Sequence, residues 1–307
     1  MSTEEFQKAY YIKLGRGGAW EESSIREAKA RIGWIDVPLK DINTRNWAVI
    51  LGKRRHLYRT KGAATMDINA LKHFVESTSA DVWITFHASR LWWCRLGERE
   101  VFEDRESRYR CLSEGWNDRD VSGNQLQVGR IPGSIAKVQR FAGTLCRVKE
   151  VDDLRRLINS QHSEEYEAIS ASKDALVREI ERGLRRLHWK DFETLVDLLF
   201  RNAGWRRTSV LGENMKYADL ELEEPITRER YQVQVKSAAT LEDFLRYADG
   251  FSEAGFRKLY FVVHSPDEKL AEHQPAPDEN VELVLPGRLA QMAVALGLTD
   301  WLLQKIR

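Results

Sequence analysis

The chain has 307 residues, and its charge is almost balanced, with 48 Lys and Arg against 47 Asp and Glu. This length accommodates two domains, and the balance gives no overall sign of nucleic-acid binding, which must then come from local patches. The start lacks a leader-like apolar run and no stretch reaches 18 apolar residues, so a soluble cytoplasmic protein without a membrane partner is expected. The three cysteines share no metal-ligand spacing, which argues against zinc.

The first predicted strand, 10–14, runs into a glycine-rich turn at 15–18. The turn lacks the lysine and Ser/Thr of a phosphate-binding P-loop and the spacing of a dinucleotide fingerprint. The turn therefore predicts no more than a contact between Arg16 and a DNA phosphate. Apolar and small residues at helical spacing then predict a helix over 20–32.

A basic stretch with an interleaved aromatic residue follows at 54–61. This pattern predicts contacts from Arg54 and Arg55 to the DNA backbone. A solvated surface segment explains the same composition, and both interpretations stay open.

Two alternating segments, 82–87 and 91–96, predict a β-hairpin that turns at 88–90. A further strand is expected at 144–148. Short strands with small helices between them predict a compact barrel of the mixed α+β kind.

Tryptophan is concentrated in the first half, which holds seven of the ten. Large rings can fill the core of a small barrel, and exposed rings can form a cage around an extruded base. Base stacking contributes ~1–3 kcal/mol per base, enough for such a cage to hold a flipped nucleotide. The cage candidates are Trp20, Trp34 and Trp83, with Thr85 as an edge contact.

Four motifs of the first half carry a family resemblance. They are Ile12-Lys13-Leu14-Gly15, Trp20-Glu21-Glu22, Arg31-Ile32-Gly33-Trp34 and Asp81-Val82-Trp83-Ile84-Thr85-Phe86. Over about residues 8–150 the chain resembles the PUA-like fold group that contains the EVE and YTH domains. Several of those domains read modified bases with an aromatic cage and occur fused to nucleases. The resemblance implies a PUA-like reading domain at 1–150, with DNA or RNA as its ligand.

Charged helical segments follow and predict a helical connector over 151–185. Arg185 and Arg186 lie where this connector meets the second predicted domain. We expect them to contact DNA phosphates, although a run of charge is also typical of a solvated helix face.

Polar residues on two strands of the second half predict a metal site. Residues 231–236 alternate, so that Gln234 and Lys236 share one face, and Asp219 opens a similar strand. Adjacent strands would bring together a carboxylate, an amide oxygen and a lysine. Such oxygen ligands suit Mg²⁺, and the lysine can stabilise charge on a phosphate. The alternative is the polar face of an edge strand.

The second half resembles the Mrr-like branch of the PD-(D/E)XK nuclease superfamily. The resemblance rests on Asp191-Phe192-Glu193 opening an apolar helix, Asn202-Ala203-Gly204-Trp205 closing it, Asp219, and Gln234-Val235-Lys236. It implies an α/β restriction-endonuclease-like mixed sheet at 186–307, with Asp219 and Gln234 as metal ligands. Lys236 is then the catalytic lysine and Glu193 supports the metal. Gln234 is neutral where many relatives carry an acid.

Together the two resemblances imply a two-domain α+β protein and a type IV restriction-like endonuclease that uses Mg²⁺ or Mn²⁺. It would flip and read a modified cytosine in double-stranded DNA and cut as a homodimer, because cutting both strands usually needs two sites. Two alternatives remain. One is a structure-specific repair nuclease, and the other is a catalytically inactive protein that binds modified nucleic acid.

Overall fold

The computed structural model describes residues 4–208, 218–251, 255–275 and 280–307. The chain forms two compact units that divide between Glu164 and Glu165. Among the described residues, no helix is both long enough and apolar enough to cross a membrane.

The first unit contains six α-helices and seven strands among its described residues. The helices are α1 (Glu21–Arg26), α2 (Leu39–Asn43), α3 (Trp47–Arg54), α4 (Lys61–Glu76), α5 (Gly133–Ala136) and α6 (Val151–Ile158). The strands are β1 (Ala9–Ile12), β2 (Lys29–Ile32), β3 (Val82–His87), β4 (Arg90–Arg95), β5 (Phe102–Glu103), β6 (Arg108–Cys111) and β7 (Leu145–Val148).

These strands form two sheets, with the orders β4-β3-β1-β7 and β2-β6-β5. The first sheet combines a parallel β1–β3 pair with antiparallel neighbours on both sides. The predicted hairpin is confirmed: β3 and β4 pair antiparallel across a two-residue loop in which Ala88 and Ser89 have positive φ. A loop of that length with left-handed residues matches the natural twist of a hairpin.

The predicted helix over 20–32 is wrong beyond its first turns. Helix α1 ends at Arg26, and Ala28 then takes a positive φ of 52°, which breaks the helical path. Residues 29–32 form β2, which pairs with β6, so Ile32 reaches the core from a strand.

The second unit places a mixed sheet between helices, as the sequence predicts. Its helices are α7 (Glu164–Leu184), α8 (Trp189–Asn202), α9 (Leu241–Asp249), α10 (Glu268–Glu272), α11 (Pro286–Ala295) and α12 (Thr299–Lys305). Its strands are β8 (Arg206–Arg207), β9 (Leu220–Glu223), β10 (Arg230–Ala239), β11 (Lys258–Pro266) and β12 (Val281–Val284). Their order is β12-β11-β10-β9-β8.

Strand β10 is the central strand of this sheet. It pairs parallel with β11 and antiparallel with β9. Val233 and Val235 pack into a core with α8, and Phe261 and Val263 of β11 pack into a second core with α9. Because β10 has a neighbouring strand on each side along Tyr231–Val233, it is not an edge strand of the sheet.

The predicted connector at 151–185 is divided between the two units. Leu154 and Ile158 of α6 are fully buried in a core of the first unit. Ile180 and Leu184 of α7 are buried in a core of the second unit. Each helix is therefore part of a domain core.

Candidate active site

Asp219 lies immediately before β9 and opposite Gln234 of the central strand. The amide Nε2 of Gln234 donates a hydrogen bond to Asp219 Oδ2, and the Val235 backbone N–H donates to the same oxygen at 2.7 Å. An ionised carboxylate only accepts hydrogen bonds, so the Gln234 amide must turn its NH₂ towards it. That orientation leaves Gln234 Oε1 and Asp219 Oδ1 as acceptors that these two hydrogen bonds do not use.

Gln234 is 4% exposed, which is unusual for a polar residue on a central strand. A buried amide is stable only when its donors and acceptors are used. The hydrogen bond to Asp219 satisfies a donor. Its oxygen is then a ligand of the kind that a hard cation accepts.

Lys236 and Glu193 complete the group that the sequence singles out. Lys236 follows Gln234 on the same face of β10, and its ammonium lies 5.2 Å from the ring centre of Tyr247 on α9. Glu193 lies on α8 and interacts electrostatically with both Asp219 and Lys236. In the structure, each of the four predicted residues therefore interacts with at least one other member of the group through a hydrogen bond or through charge.

The two carboxyl groups both have raised pKa values. Burial raises the pKa of Asp219, against the opposing effects of the Val235 N–H, the Lys236 ammonium and the Gln234 amide. Burial, followed by the charge of Asp219, raises the pKa of Glu193. A carboxylate that is costly to ionise in a buried site is stabilised when a cation binds beside it.

The donor set fits a hard divalent cation. It consists of the Asp219 carboxylate and the Gln234 amide oxygen, with the Glu193 carboxylate in electrostatic range, and it suits Mg²⁺ or Mn²⁺ together with retained waters. No group of three or more His, Cys, Asp or Glu side chains with metal-binding geometry occurs within the described ranges. A site with so few protein ligands is consistent with a cation that also contacts a substrate phosphate.

Two basic residues near Glu193 were missed by the sequence interpretation. Arg207 of β8 and Lys190 of α8 both lower the pKa of Glu193 and thus limit its rise. Lys190 is three positions before Glu193, and residues at this spacing are neighbours on a helix, so this pair could have been identified from the sequence. Arg207 comes from a two-residue strand that no pattern signals.

Asp191, which opens the family-like motif, is not part of the site. It forms an ion pair with Lys305 of α12 at 2.9 Å. Arg185 and Arg186 are exposed just after α7, so both remain accessible to a phosphate.

The proposed base cage does not form as the sequence predicts. Trp83 is 0% exposed, and its ring stacks on Tyr10 with ring centres 4.8 Å apart. Thr85 is buried, and its hydroxyl donates to the Ile12 carbonyl at 2.9 Å. Trp34 is also buried, and its Nε1 donates to Asp67 at 2.8 Å. These side chains pack the interior of the first unit, as in the core-filling interpretation.

Trp20, by contrast, lines an open cavity of about 380 Å³ in the first unit. The cavity lies between the glycine-rich turn and the segment 142–144, and its cationic lining residues are Lys13 and Arg16. Gly15 has φ +86°, and an added Cβ there would lie 3.0 Å from the Trp20 ring, so this turn can approach the ring only with glycine. A flat apolar surface beside two cations is suited to a base with its phosphate.

The basic stretch at 54–61 divides into a structural and an accessible part. The Arg54 guanidinium binds the Asp36 carboxylate, donates to the Tyr58 hydroxyl at 2.9 Å and lies 3.3 Å from Asp67. Arg54 is thus committed to an internal network, which corrects its prediction as a DNA contact. Arg55 is exposed.

Comparison with known proteins matches residues 184–293 to a family model described as restriction endonuclease, the Mrr catalytic domain. No curated protein and no solved structure matches the chain significantly. The matched segment contains α8, β9 and β10 with Glu193, Asp219, Gln234 and Lys236. The second unit of this chain therefore matches a restriction-endonuclease catalytic domain, which supports a DNA nuclease.

Proposed function

We propose that the protein is a modification-dependent DNA endonuclease resembling type IV restriction enzymes. Its first unit reads a modified cytosine, and its second unit hydrolyses a phosphodiester bond. The observation that carries the proposal is the Asp219 carboxylate, held by Gln234 and the Val235 N–H beside Lys236 on a central strand. This arrangement lies inside the restriction-endonuclease match.

Each side chain has a distinct role in this hydrolysis. A divalent cation, Mg²⁺ or Mn²⁺, would supply Lewis acidity and a bound water of lowered pKa. Asp219 Oδ1 and Gln234 Oε1 offer it oxygen ligands, and Glu193 adds negative charge nearby. The Lys236 ammonium orients the attacking water and stabilises the negative charge that develops on the phosphate oxygens.

A cleavage assay on matched plasmids tests both parts of the proposal. The plasmids carry cytosine, 5-methylcytosine or 5-hydroxymethylcytosine, and each is incubated with Mg²⁺, Mn²⁺ or a chelator. We expect metal-dependent cutting of one modified plasmid only. Equal cutting of all three favours a structure-specific repair nuclease, and binding without cutting under every condition favours an inactive binding protein.

The cavity beside Trp20 supports the reading role. Its size is within the range of small-ligand sites, and it combines one ring with two cationic side chains. We expect Trp20→Ala, in a full chain inactivated by Asp219→Asn, to lose most of its preference for the modified duplex. Arg105→Ala, which removes an exposed arginine outside the cavity, is the matched control. If the parent chain binds modified and plain duplex with equal affinity at fixed salt, the proposal that the first unit reads a modified base is contradicted.

Double-strand cutting by this site is expected to involve a homodimer. One set of Asp219, Gln234 and Lys236 hydrolyses one strand at a time. The two strands of a duplex are related by approximate two-fold symmetry, which a two-fold symmetric homodimer matches. Sedimentation of the full chain with and without the cleavable duplex measures the stoichiometry. A 1:1 complex that cuts both strands in one encounter would contradict the expectation.

A further inference from the structure

A second cavity, of about 520 Å³, lies in the second unit beside the catalytic helix. It is formed by the end of α8, the residues that follow it, β8 and the end of β9. Its polar lining includes three arginines and two acids: Arg201, Arg206, Arg207, Asp197 and Glu223. The formal charge of these five residues is +1, so the cavity favours an anion.

The acids lie beside the arginines, either at ion-pair distance or across a pair of neighbouring strands. Asp197 lies 3.7 Å from a guanidinium nitrogen of Arg201 and 3.7 Å from one of Arg207, which is beyond hydrogen-bond distance. Glu223 is the register partner of Arg206 on the neighbouring strand. Each guanidinium has five N–H donors in a planar fork, and such forks suit phosphate oxygens.

Two features show an incomplete network that faces an accessible space. Asp197 Oδ1 is buried and has no hydrogen-bond partner among the described residues. The Arg201 side chain is 60% exposed. An anion bound to Arg201 and Arg206 would draw the guanidinium groups together across the cavity and extend this network.

The cavity continues the face of α8 that carries Glu193. Glu193, Asp197 and Arg201 are spaced four residues apart, which places them in one row on a helix. Eight residues at 1.5 Å each separate Arg201 from Glu193 by about 12 Å along the axis. One DNA strand has a phosphate about every 3.4 Å of rise, so for DNA aligned with α8 this length corresponds to about three phosphates.

A charged residue of this cavity also interacts with the candidate active site. Arg207, which lines the cavity, interacts electrostatically with Glu193. The two sites are therefore within electrostatic range of each other on one face.

We infer that this cavity binds the phosphodiester backbone of the cleaved DNA, about three nucleotides from the scissile phosphate. Arg201 and Arg206 donate to phosphate oxygens, and the contact positions the strand for attack. The inference rests on the proposed nuclease function, because the row begins at the proposed metal site.

The test measures the salt dependence of DNA binding by the full chain carrying Asp219→Asn, which is not cut. Each phosphate contact contributes about 0.9 to the slope of log K against log salt. The added double substitution Arg201→Ala/Arg206→Ala should reduce this slope by about one to two and weaken binding about 10-fold or more at moderate salt. Arg288→Ala, an exposed arginine on α11, is the control and should leave the slope unchanged.

Thermal unfolding of each variant checks that the fold survives, and Arg201→Gln/Arg206→Gln replaces the alanine variant if it does not. A scan of neutral methylphosphonates along the duplex gives an independent readout. Neutralising the phosphate that the cavity binds should weaken the parent chain but not the double variant. An unchanged salt slope, or equal losses at every scanned position, would overturn the inference while leaving cleavage by Asp219 and Lys236 intact. Failure of the wild-type chain to bind or cut any DNA would overturn both.

Discussion

Replacing Trp83 by alanine separates the two interpretations of the tryptophan-rich half. The Trp83 side chain is fully buried, stacks on Tyr10 at 4.8 Å and meets Phe74 edge-on at 5.6 Å. Truncating a buried tryptophan costs about 3–5 kcal/mol, and each lost aromatic pair contributes about 0.5–1.5 kcal/mol beyond area burial. For a unit of this size 1 kcal/mol shifts Tm by about 2–4 °C, so we expect a fall of about 6–20 °C.

Calorimetry of the full chain measures this fall in the transition of the first unit. Trp83→Phe is the conservative variant, and it should lose much less, because the indole N–H has no hydrogen-bond partner among the described residues. Trp20→Ala should have the opposite profile, with a small change in Tm and about 5- to 150-fold weaker binding of the modified duplex. A Trp83→Ala chain that unfolds within 2 °C of wild type but loses the modified duplex would refute this assignment.

Four further outcomes follow from the charged groups. Asp219→Asn should lower cleavage by about 10³-fold or more while retaining DNA binding, because it removes a metal ligand; a cleavage time course with a parallel binding titration measures both. Lys236→Ala should lower kcat by about 10²–10³-fold with little change in KM, as steady-state kinetics would show. Glu193→Gln should raise the Mg²⁺ concentration needed for half-maximal rate by about 10–100-fold in a metal titration. Asp104 has its pKa lowered to about 2, chiefly by Arg31 against the opposing effect of burial, so its stabilisation is present above about pH 4 and is lost as pH falls to 2. Thermal unfolding of wild type and Asp104→Asn should therefore differ at neutral pH and converge near pH 2.

The strand that carries Gln234 and Lys236 was predictable because its pattern is local. Alternation at 231–236 puts Gln234 and Lys236 on one face, and the Gln234–Asp219 hydrogen bond follows once β9 and β10 pair. The contribution of Arg207 was not predictable. It depends on a two-residue edge strand, which is too short to have a period.

The first unit shows where alternation is insufficient. The alternating pattern correctly assigns Trp83 and Val82 to opposite faces of β3. Both faces are buried, however, and they belong to two different cores. The alternation of residues along a strand cannot distinguish a face that is open to solvent from a face that packs against a helix from elsewhere in the chain. Helix α4 supplies much of that cover, and its buried residues Ile68, Leu71 and Val75 have a helical spacing that was available in the sequence.

The cavity beside Trp20 could not be derived from local patterns, because distant segments form it. The glycine-rich turn supplies Arg16 and the segment 142–144 closes the other side. The sequence indicated a phosphate near Arg16 from composition alone. Trp20 lines this cavity, whereas the other two ring candidates, Trp34 and Trp83, are buried.

The neutral Gln234 is explained by the charge of the site. Asp219 and Glu193 already have raised pKa values, and a third acid at a position 4% exposed would share a proton with Asp219 instead of adding a full negative charge. Glutamine donates to Asp219 and still offers a neutral oxygen. With a divalent cation bound, two carboxylates and Lys236 leave a net charge of about +1, where a third carboxylate would leave about zero. In the proposed mechanism a positive site attracts the phosphodiester anion, so Gln234 gives weaker metal binding and a stronger attraction for the substrate than an acid would.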